Sequence, residues 1–296
     1  MNNHLSHLQI FTYQILVTDT DTNTKWGYNP QNVILESRYS SGVAHFFPEN
    51  LGNGVILEMV AIIGGTFLMG WEKTGGTYRH QSPKHSCTVK PFFMSKYPIT
   101  QAQWQAVATL TQVNQLLDPD PSMFKGADRP VEQVSWHDAV EFCARLSRLT
   151  KRDYCLPSEA EWEYACRART TTKFHFGEAI SIDLANYYGL YYPGYSGPRI
   201  GYHVQTTPVG SFQVANAFGL YDMHGNVSEW CADPWHEDYQ DAPSDGQVWE
   251  ANGEKNYRLL RGGSWGENDW GCTCAYRHKE NSSERSSLNG FRVVCT

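Results

Sequence analysis

Arg261-Gly262-Gly263-Ser264-Trp265 and Gly290-Phe291-Arg292-Val293-Val294 enclose a stretch unlike either border: Gly266-Glu-Asn-Asp-Trp-Gly-Cys-Thr-Cys-Ala-Tyr-Arg-His-Lys-Glu-Asn-Ser-Ser-Glu-Arg-Ser-Ser-Leu-Asn289. The borders combine paired glycines, aromatics and arginines, as fixed architecture does. The enclosed residues follow neither a period of two nor one near 3.6, and Trp270, Tyr276, His278, Lys279 and Glu284 alternate with small and polar residues. Such a mixture suits a contact surface better than a core. The reading of this stretch determines whether the chain performs chemistry or presents a surface.

The rest of the composition narrows the choice. A chain of 296 residues with 41% hydrophobic, 14% aromatic and 19% charged residues has ample material for a core. A formal charge of -7 without a basic run argues against general nucleic-acid binding, because neutralising phosphates takes clustered Lys and Arg. Eight cysteines at 87, 143, 155, 166, 231, 272, 274 and 295 lack both the density of a disulfide scaffold and any C-x-x-C pair. They are expected to be reduced and mostly buried. With no signal-peptide pattern at the start and no long apolar run, the expectation is a soluble cytoplasmic protein without a membrane span.

Taken in order, Leu8 to Val17 reads as a strand, and residues 1–50 as a β-rich N-terminal extension preceding the main domain at 51–296. Asp19, Asp21 and Asn23 open like a calcium loop, but Thr24 and Pro30 stand where that loop needs Gly and Glu. From Val55 two short strands are expected to form a hairpin around Gly64-Gly65, with a further strand at Phe92 to Met94. Three capping boxes predict helix starts: Thr100 with Gln103, Ser135 with Asp138, and Ser158 with Glu161. The second opens an amphipathic helix through Ala139, Phe142, Cys143 and Leu146, with Arg145 and Arg148 toward its C-terminal end. Glu159, Glu161 and Glu163 read as a solvated first turn. Beyond Arg169 the chain is rich in Gly, Tyr and Pro and loses regularity.

No nucleophile elbow, Walker A loop, dinucleotide fingerprint or H-E-x-x-H pair occurs. Cys272 and Cys274 form the one close thiol pair; on alternating strand positions both would face one side, where two thiolates suit Cu(I) and His224 or His278 could add nitrogen. Six motifs now carry a resemblance. Gly64 to Gly70, Pro130 to Trp136, Leu156 to Glu163, Asn216 to Trp230, Arg261 to Trp265 and Gly290 to Arg292 resemble, in order, the formylglycine-generating enzyme (sulfatase-modifying factor) family. The resemblance implies an α+β domain of the C-type-lectin type, with short helices on a twisted antiparallel β core and much irregular loop.

Active members of that family oxidise a substrate cysteine using O2 and Cu(I) on two cysteines after the Gly-Gly-Ser motif. The second position here is Cys272, but the first is Glu267. A hard carboxylate replaces a soft thiolate, so a copper-dependent oxidase, with Cys272 and Cys274 catalytic, is the alternative rather than the leading reading. The resemblance also implies calcium at Asp222, Gly225, Val227 and Glu229, and a second calcium site at Asn186 and Tyr187 whose Asp is missing near Gly201.

The two borders resemble, in addition, the frame of the variable region in retroelement-diversified proteins of this fold, where adenines in template codons are randomised. Gly266, Asn268, Asp269, Gly271, Thr273, Tyr276, His278, Asn281, Ser286, Ser287, Leu288 and Asn289 are all reachable from an Asn codon through its adenines, whereas Glu267, Trp270, Lys279, Glu280 and Glu284 need other template codons. The leading expectation is a non-catalytic protein that binds a protein or other macromolecule through residues 266–289. Its contact residues are Gly266, Glu267, Asn268, Trp270, Gly271, Thr273, Tyr276, His278, Lys279, Glu284, Ser286, Ser287 and Leu288, with Trp270, Tyr276 and His278 as anchors.

Overall fold

A computed structural model describes residues 8–19, 36–72, 76–189 and 204–296. Strands β1 (Gln9–Asp19), β2 (Glu36–Asn50), β3 (Ile56–Ile62), β6 (Phe92–Ser95), β7 (Tyr154–Cys155) and β12 (Val294–Cys295) form one sheet in the order β1-β2-β3-β6-β12-β7. A second sheet has the order β10-β9-β8-β11, from β8 (Ser228–Trp235), β9 (Glu254–Arg261), β10 (His278–Asn281) and β11 (Asn289–Gly290). β4 (Gly65–Met69) and β5 (His85–Val89) pair with each other. Among the described residues the strand pairings are antiparallel except for β11 on β8. Together with the α-helices described below, this is the expected α+β class.

The boundary near residue 50 falls between two strands of one sheet, since β2 pairs with both β1 and β3. Tyr13, Ala44 and Phe46 are buried with Trp162 and Leu220 in one apolar cluster, and the Tyr13 hydroxyl donates to the Ala217 carbonyl at 2.8 Å. Residues 9–19 and 36–50 therefore share the main core. The hairpin expected around Gly64-Gly65 does not form: both strands exist, but β3 pairs with β2 and β6 while β4 turns away to β5. Gly64 makes the turn possible, because a Cβ there would lie 2.6 Å from the Pro91 nitrogen and the Val89 carbonyl. The calcium-loop pattern at 19–30 lies largely outside the described residues, as do Tyr191 to Gly201.

All three capping boxes close as their sequences require, opening α1 (Gln101–Ala108), α2 (Trp136–Thr150) and α3 (Glu159–Arg167). α2 buries Ala139, Phe142, Cys143 and Leu146, and Phe142 stacks on Trp104 of α1 while meeting Phe291 edge-on. Each large apolar side chain so buried contributes roughly 1.5–3 kcal/mol through removed apolar surface. Arg145, expected to complement the C-terminal end of the helix, is buried, pairs with Glu141 at 2.7 Å, and donates to the Ala108 and Gln115 carbonyls.

The first turn of α3 is a larger correction. Glu159 is 3% exposed and Glu163 is 0% exposed, so neither is a solvated first-turn carboxylate. Glu159 accepts two hydrogen bonds from Arg277, at 2.6 and 2.9 Å. Glu163 accepts from Arg167 at 2.8 Å, from Arg261, and from the Gly70 amide at 2.9 Å. The helix turns its acidic residues inward because three arginines, two of them from the segment around the enclosed stretch, come to meet them there. The Arg167 and Arg261 guanidiniums, with the Gly70 amide, overcome the burial that would raise the Glu163 carboxyl and hold it below the usual range.

Candidate functional site

The two borders are clamps. Arg261 and Arg292 are 1% and 0% exposed. Arg292 grips Glu229 with Nε and Nη2 at 2.7 and 2.9 Å and donates to the Ser95 carbonyl, joining the second sheet to the first. Arg261 binds Glu163 and reaches forward to the carbonyls of Cys274 and Tyr276 inside the enclosed stretch. The paired glycines are sterically required: Gly263 has φ +69, and a Cβ there would lie 2.5 Å from the Gly271 carbonyl and 2.7 Å from Cys272 Sγ.

Between the clamps the chain is attached to the scaffold through its backbone and through the buried Arg277, whose guanidinium holds Glu159 and the His80 and His236 carbonyls. The Tyr188 amide donates to the Glu267 carbonyl at 2.6 Å, and the Cys274 amide to the Lys173 carbonyl at 2.8 Å. The Gln133 amide donates to the Ser286 carbonyl at 2.9 Å and the Ser228 amide to that of Leu288 at 2.7 Å. Trp265 Nε1 closes the loop on the Ser287 carbonyl at 2.9 Å. Within the segment these bonds use carbonyls and amides that every residue carries, so they do not depend on its exposed side chains.

The side chains divide accordingly. Gly266, Trp270, His278 and Glu284 are exposed, while Glu267, Asn268, Tyr276, Lys279, Ser286, Ser287 and Leu288 are partly buried. Gly271 and Thr273, expected at the contact surface, are buried. Gly271 sits in a 3-10 turn (Asp269–Cys272) capped by the Asn268 side chain, and the Thr273 hydroxyl donates back to the Trp270 carbonyl at 3.1 Å. The turn draws both inward, so they shape the surface without forming it. His278 to Asn281 adds regularity to a stretch read as irregular, pairing as β10 with β9. Lys279 reaches Glu254 at 3.0 Å beside the rings of Trp235 and Tyr257. Next to the far end of the segment, Leu116, Gln133, Asp138 and Arg285 line a cleft of about 340 Å³, and Leu116 and Met123 are 82% and 63% exposed.

The copper reading drawn from the resemblance does not fit these side chains. For copper, Glu267 holds the place of the family's first thiolate, and Cys272 is the one sulfur left of that pair. One sulfur with a hard carboxylate in place of the second is not the soft two-thiolate pair that suits Cu(I). Cys272 and Cys274 do not share one side of a strand either, because Cys272 ends the 3-10 turn while Cys274 Sγ lies 3.6 Å from Cys166 Sγ. For calcium, both Glu229 oxygens are engaged by Arg292 and one also accepts from Trp162 Nε1 at 2.6 Å. Asp222 accepts from the Gly210 amide at 2.6 Å, and burial pushes its carboxyl up to about 6. At the other implied calcium position Asn186 and Tyr187 are buried; Asn186 Nδ2 donates to the Gln205 carbonyl at 2.9 Å, and its Oδ1 is buried without a hydrogen-bond partner.

Sequence reading assigned no role to Cys166. It resembles any core cysteine on a helix, and it meets Cys274 across 108 positions of chain. The inward role of Glu159 and Glu163 was equally illegible, since their arginine partners lie up to 118 residues away.

A mixed fold with two arginine-clamped borders and a backbone-tethered segment between them defines a scaffold that carries a surface loop. Residues 48–296 match the family model FGE-sulfatase, described as a sulfatase-modifying factor enzyme 1-like domain, and the chain belongs to this family. Among curated relatives, the serine/threonine-protein kinase pkn1 of Chlamydia caviae is 32% identical over 256 residues, covering 80% of this chain. The chain spans only 38% of that relative's length. Among solved structures, PvdO from Pseudomonas aeruginosa has a TM-score of 0.70 at 34% identity, covering 84% of this chain and 97% of PvdO. The Treponema denticola variable protein 1 has a TM-score of 0.67 at 26% identity, covering 84% of this chain and 98% of that one. The fold is thus formylglycine-generating-enzyme-like, of the C-type-lectin type. Among the described residues, no helix is long and apolar enough to cross a membrane.

Proposed function

We propose that this chain is a non-catalytic binding protein that displays residues 266–289 to a protein or other macromolecular ligand, with a retroelement diversifying the displayed side chains. The observation carrying this reading is the backbone tethering of the segment: Tyr188, Gln133, Ser228 and Trp265 all hold main-chain carbonyls within it. A segment so held tolerates exchange of its exposed side chains, which is what a diversified surface requires. The likeness to a Treponema variable protein supports the same reading. Trp270, Tyr276 and His278 supply rigid rings, which give contact area at little entropic cost, and the cleft beside Arg285 offers a place for a partner side chain.

The test lies beside the gene. A near-copy of the codons for residues 266–289, differing from them only where the copy has adenine, is expected near a reverse transcriptase gene. If neighbouring DNA holds no such copy, diversification is excluded; the binding role then stands or falls on substitutions at the exposed positions. The competing reading, oxidation of a substrate cysteine on copper, would have to work with Glu267 in place of the family's first copper-binding cysteine. A thiol peptide supplied with Cu(I) and O2 is expected to show no oxidation above the metal alone. Accelerated conversion that Cys272→Ser removes would establish the enzyme instead.

A further inference from the structure

Cys166 on α3, His224 before β8 and Cys274 inside the displayed segment converge in the interior. Their Sγ and ring-nitrogen atoms all lie within 4.8 Å of one another, and each residue is buried. The two sulfurs are 3.6 Å apart, and Cys166 Sγ is 3.9 Å from His224 Nε2. Tetrahedral or trigonal ligands at metal–sulfur distances of about 2.3 Å stand roughly 3.8–4.0 Å apart, so the cluster needs only slight adjustment to share one ion. His224 is already set for ligation. Its Nδ1 engages the Cys272 carbonyl at 2.7 Å, which places the proton there and leaves Nε2 as the unprotonated nitrogen, 3.9 Å from Cys166 Sγ. That nitrogen now accepts the His175 amide at 3.1 Å, a contact an ion would replace.

We propose that Cys166, His224 and Cys274 form a buried site for a soft d10 cation, at a place distinct from the Glu267 and Cys272 positions. Two sulfurs and one imidazole suit Cu(I), which is content with three ligands, better than Zn(II), which seeks a fourth. His175 stacks on His224 with ring centroids 4.9 Å apart, but its nitrogens fall outside the cluster of ligand atoms. The charges agree. Two thiolates and one monovalent cation leave one negative charge; burial pushes the Cys166 thiol up, and Arg167 and Arg261 work against burial at both sulfurs. Binding releases the protons of both thiols to solvent, that of Cys166 having been directed at Cys274, with no change of oxidation state. Because the Cys272 carbonyl and Cys274 belong to the displayed segment, the ion would pin its base to α3.

The full chain, purified anaerobically with its thiols reduced, is titrated with Cu(I) against a chromophoric Cu(I) chelator, and separately with Zn(II). One equivalent of Cu(I) is expected, bound more tightly than Zn(II), with an X-ray absorption shell of two sulfurs and one nitrogen. Cys166→Ser and Cys274→Ser should weaken binding by more than the ~10–100-fold typical of outer-sphere changes, whereas Cys272→Ser should leave it unchanged. Should either variant misfold, the absorption shell of the unaltered protein still decides. The proposal is overturned if the reduced protein binds neither ion, if Cys272→Ser abolishes binding, or if mass spectrometry finds Cys166 and Cys274 joined as a disulfide. None of these results bears on ligand binding by the exposed side chains, so the site and the display reading fail separately.

Discussion

At the scale of single residues, the buried ion pairs and the exposed rings of this protein have opposite sensitivities. Glu163 serves Arg167, Arg261 and the Gly70 amide at once, in an interior from which water is excluded. Glu163→Gln leaves two guanidiniums short of a counter-charge and is expected to cost about 3–5 kcal/mol, read as a lowered denaturation midpoint. Trp270→Ala and His278→Ala, by contrast, remove exposed side chains and should shift stability by no more than about 0.5 kcal/mol while weakening ligand binding. A large loss of stability in the latter pair would show that the displayed residues are structural. Glu132 gives a pH signature. Burial pushes its carboxyl up from 4.5 to about 7, against the lowering effect of the Phe124 amide, which donates to it at 2.8 Å. A carboxyl raised on folding is protonated in the native state and ionised in the unfolded one between those values, so its contribution to stability falls as pH rises through that window. Glu132→Gln keeps the acceptor and cannot ionise. Its midpoint relative to the unaltered protein is expected to rise from about pH 5 to about pH 8, and an unchanged difference would refute the assignment.

Among the elements, the helices are local and the strands are not. Each helix begins where a hydroxyl and a side chain three residues later satisfy each other's backbone donors, a contact that needs no distant partner. Ser135→Ala removes the acceptor for the Asp138 amide and should cost about 1 kcal/mol. Asp138 complicates the measurement, because it also holds Arg285 at 2.8 and 2.9 Å next to the displayed segment. A double-mutant cycle with Arg285→Ala would therefore show coupling if the cap also sets the segment's far end. For the strands, Gly65 to Met69 was readable as extended, yet its partner was settled by β5 and not by its neighbour in sequence.

For the molecule as a whole, the first sheet joins the two ends of the chain. β1 and β2 extend the sheet that contains β12, and Tyr13, Ala44 and Phe46 close the cluster around Trp162. Removing residues 1–35 would expose this apolar face. The truncated chain is expected to lose solubility or unfold at lower denaturant with a smaller m-value, whereas an independent extension would leave the midpoint unchanged. The arginine clamps are buried at the two ends of the segment, and Trp270 and His278 are exposed between them.

The sequence by itself determined the family, the α+β class, the three helix starts and the two borders of the displayed segment, because these rest on local hydrogen bonding and on motifs whose residues are contiguous. It also placed Trp270, His278 and Glu284 at the surface. Tertiary structure alone decided that Glu159 and Glu163 face inward, that Gly271 and Thr273 fold under the displayed surface, and that Cys274 meets Cys166 and not Cys272. Those outcomes depend on partners as far as 118 residues apart, and a charge or a thiol shows its partner only once the chain has closed around it.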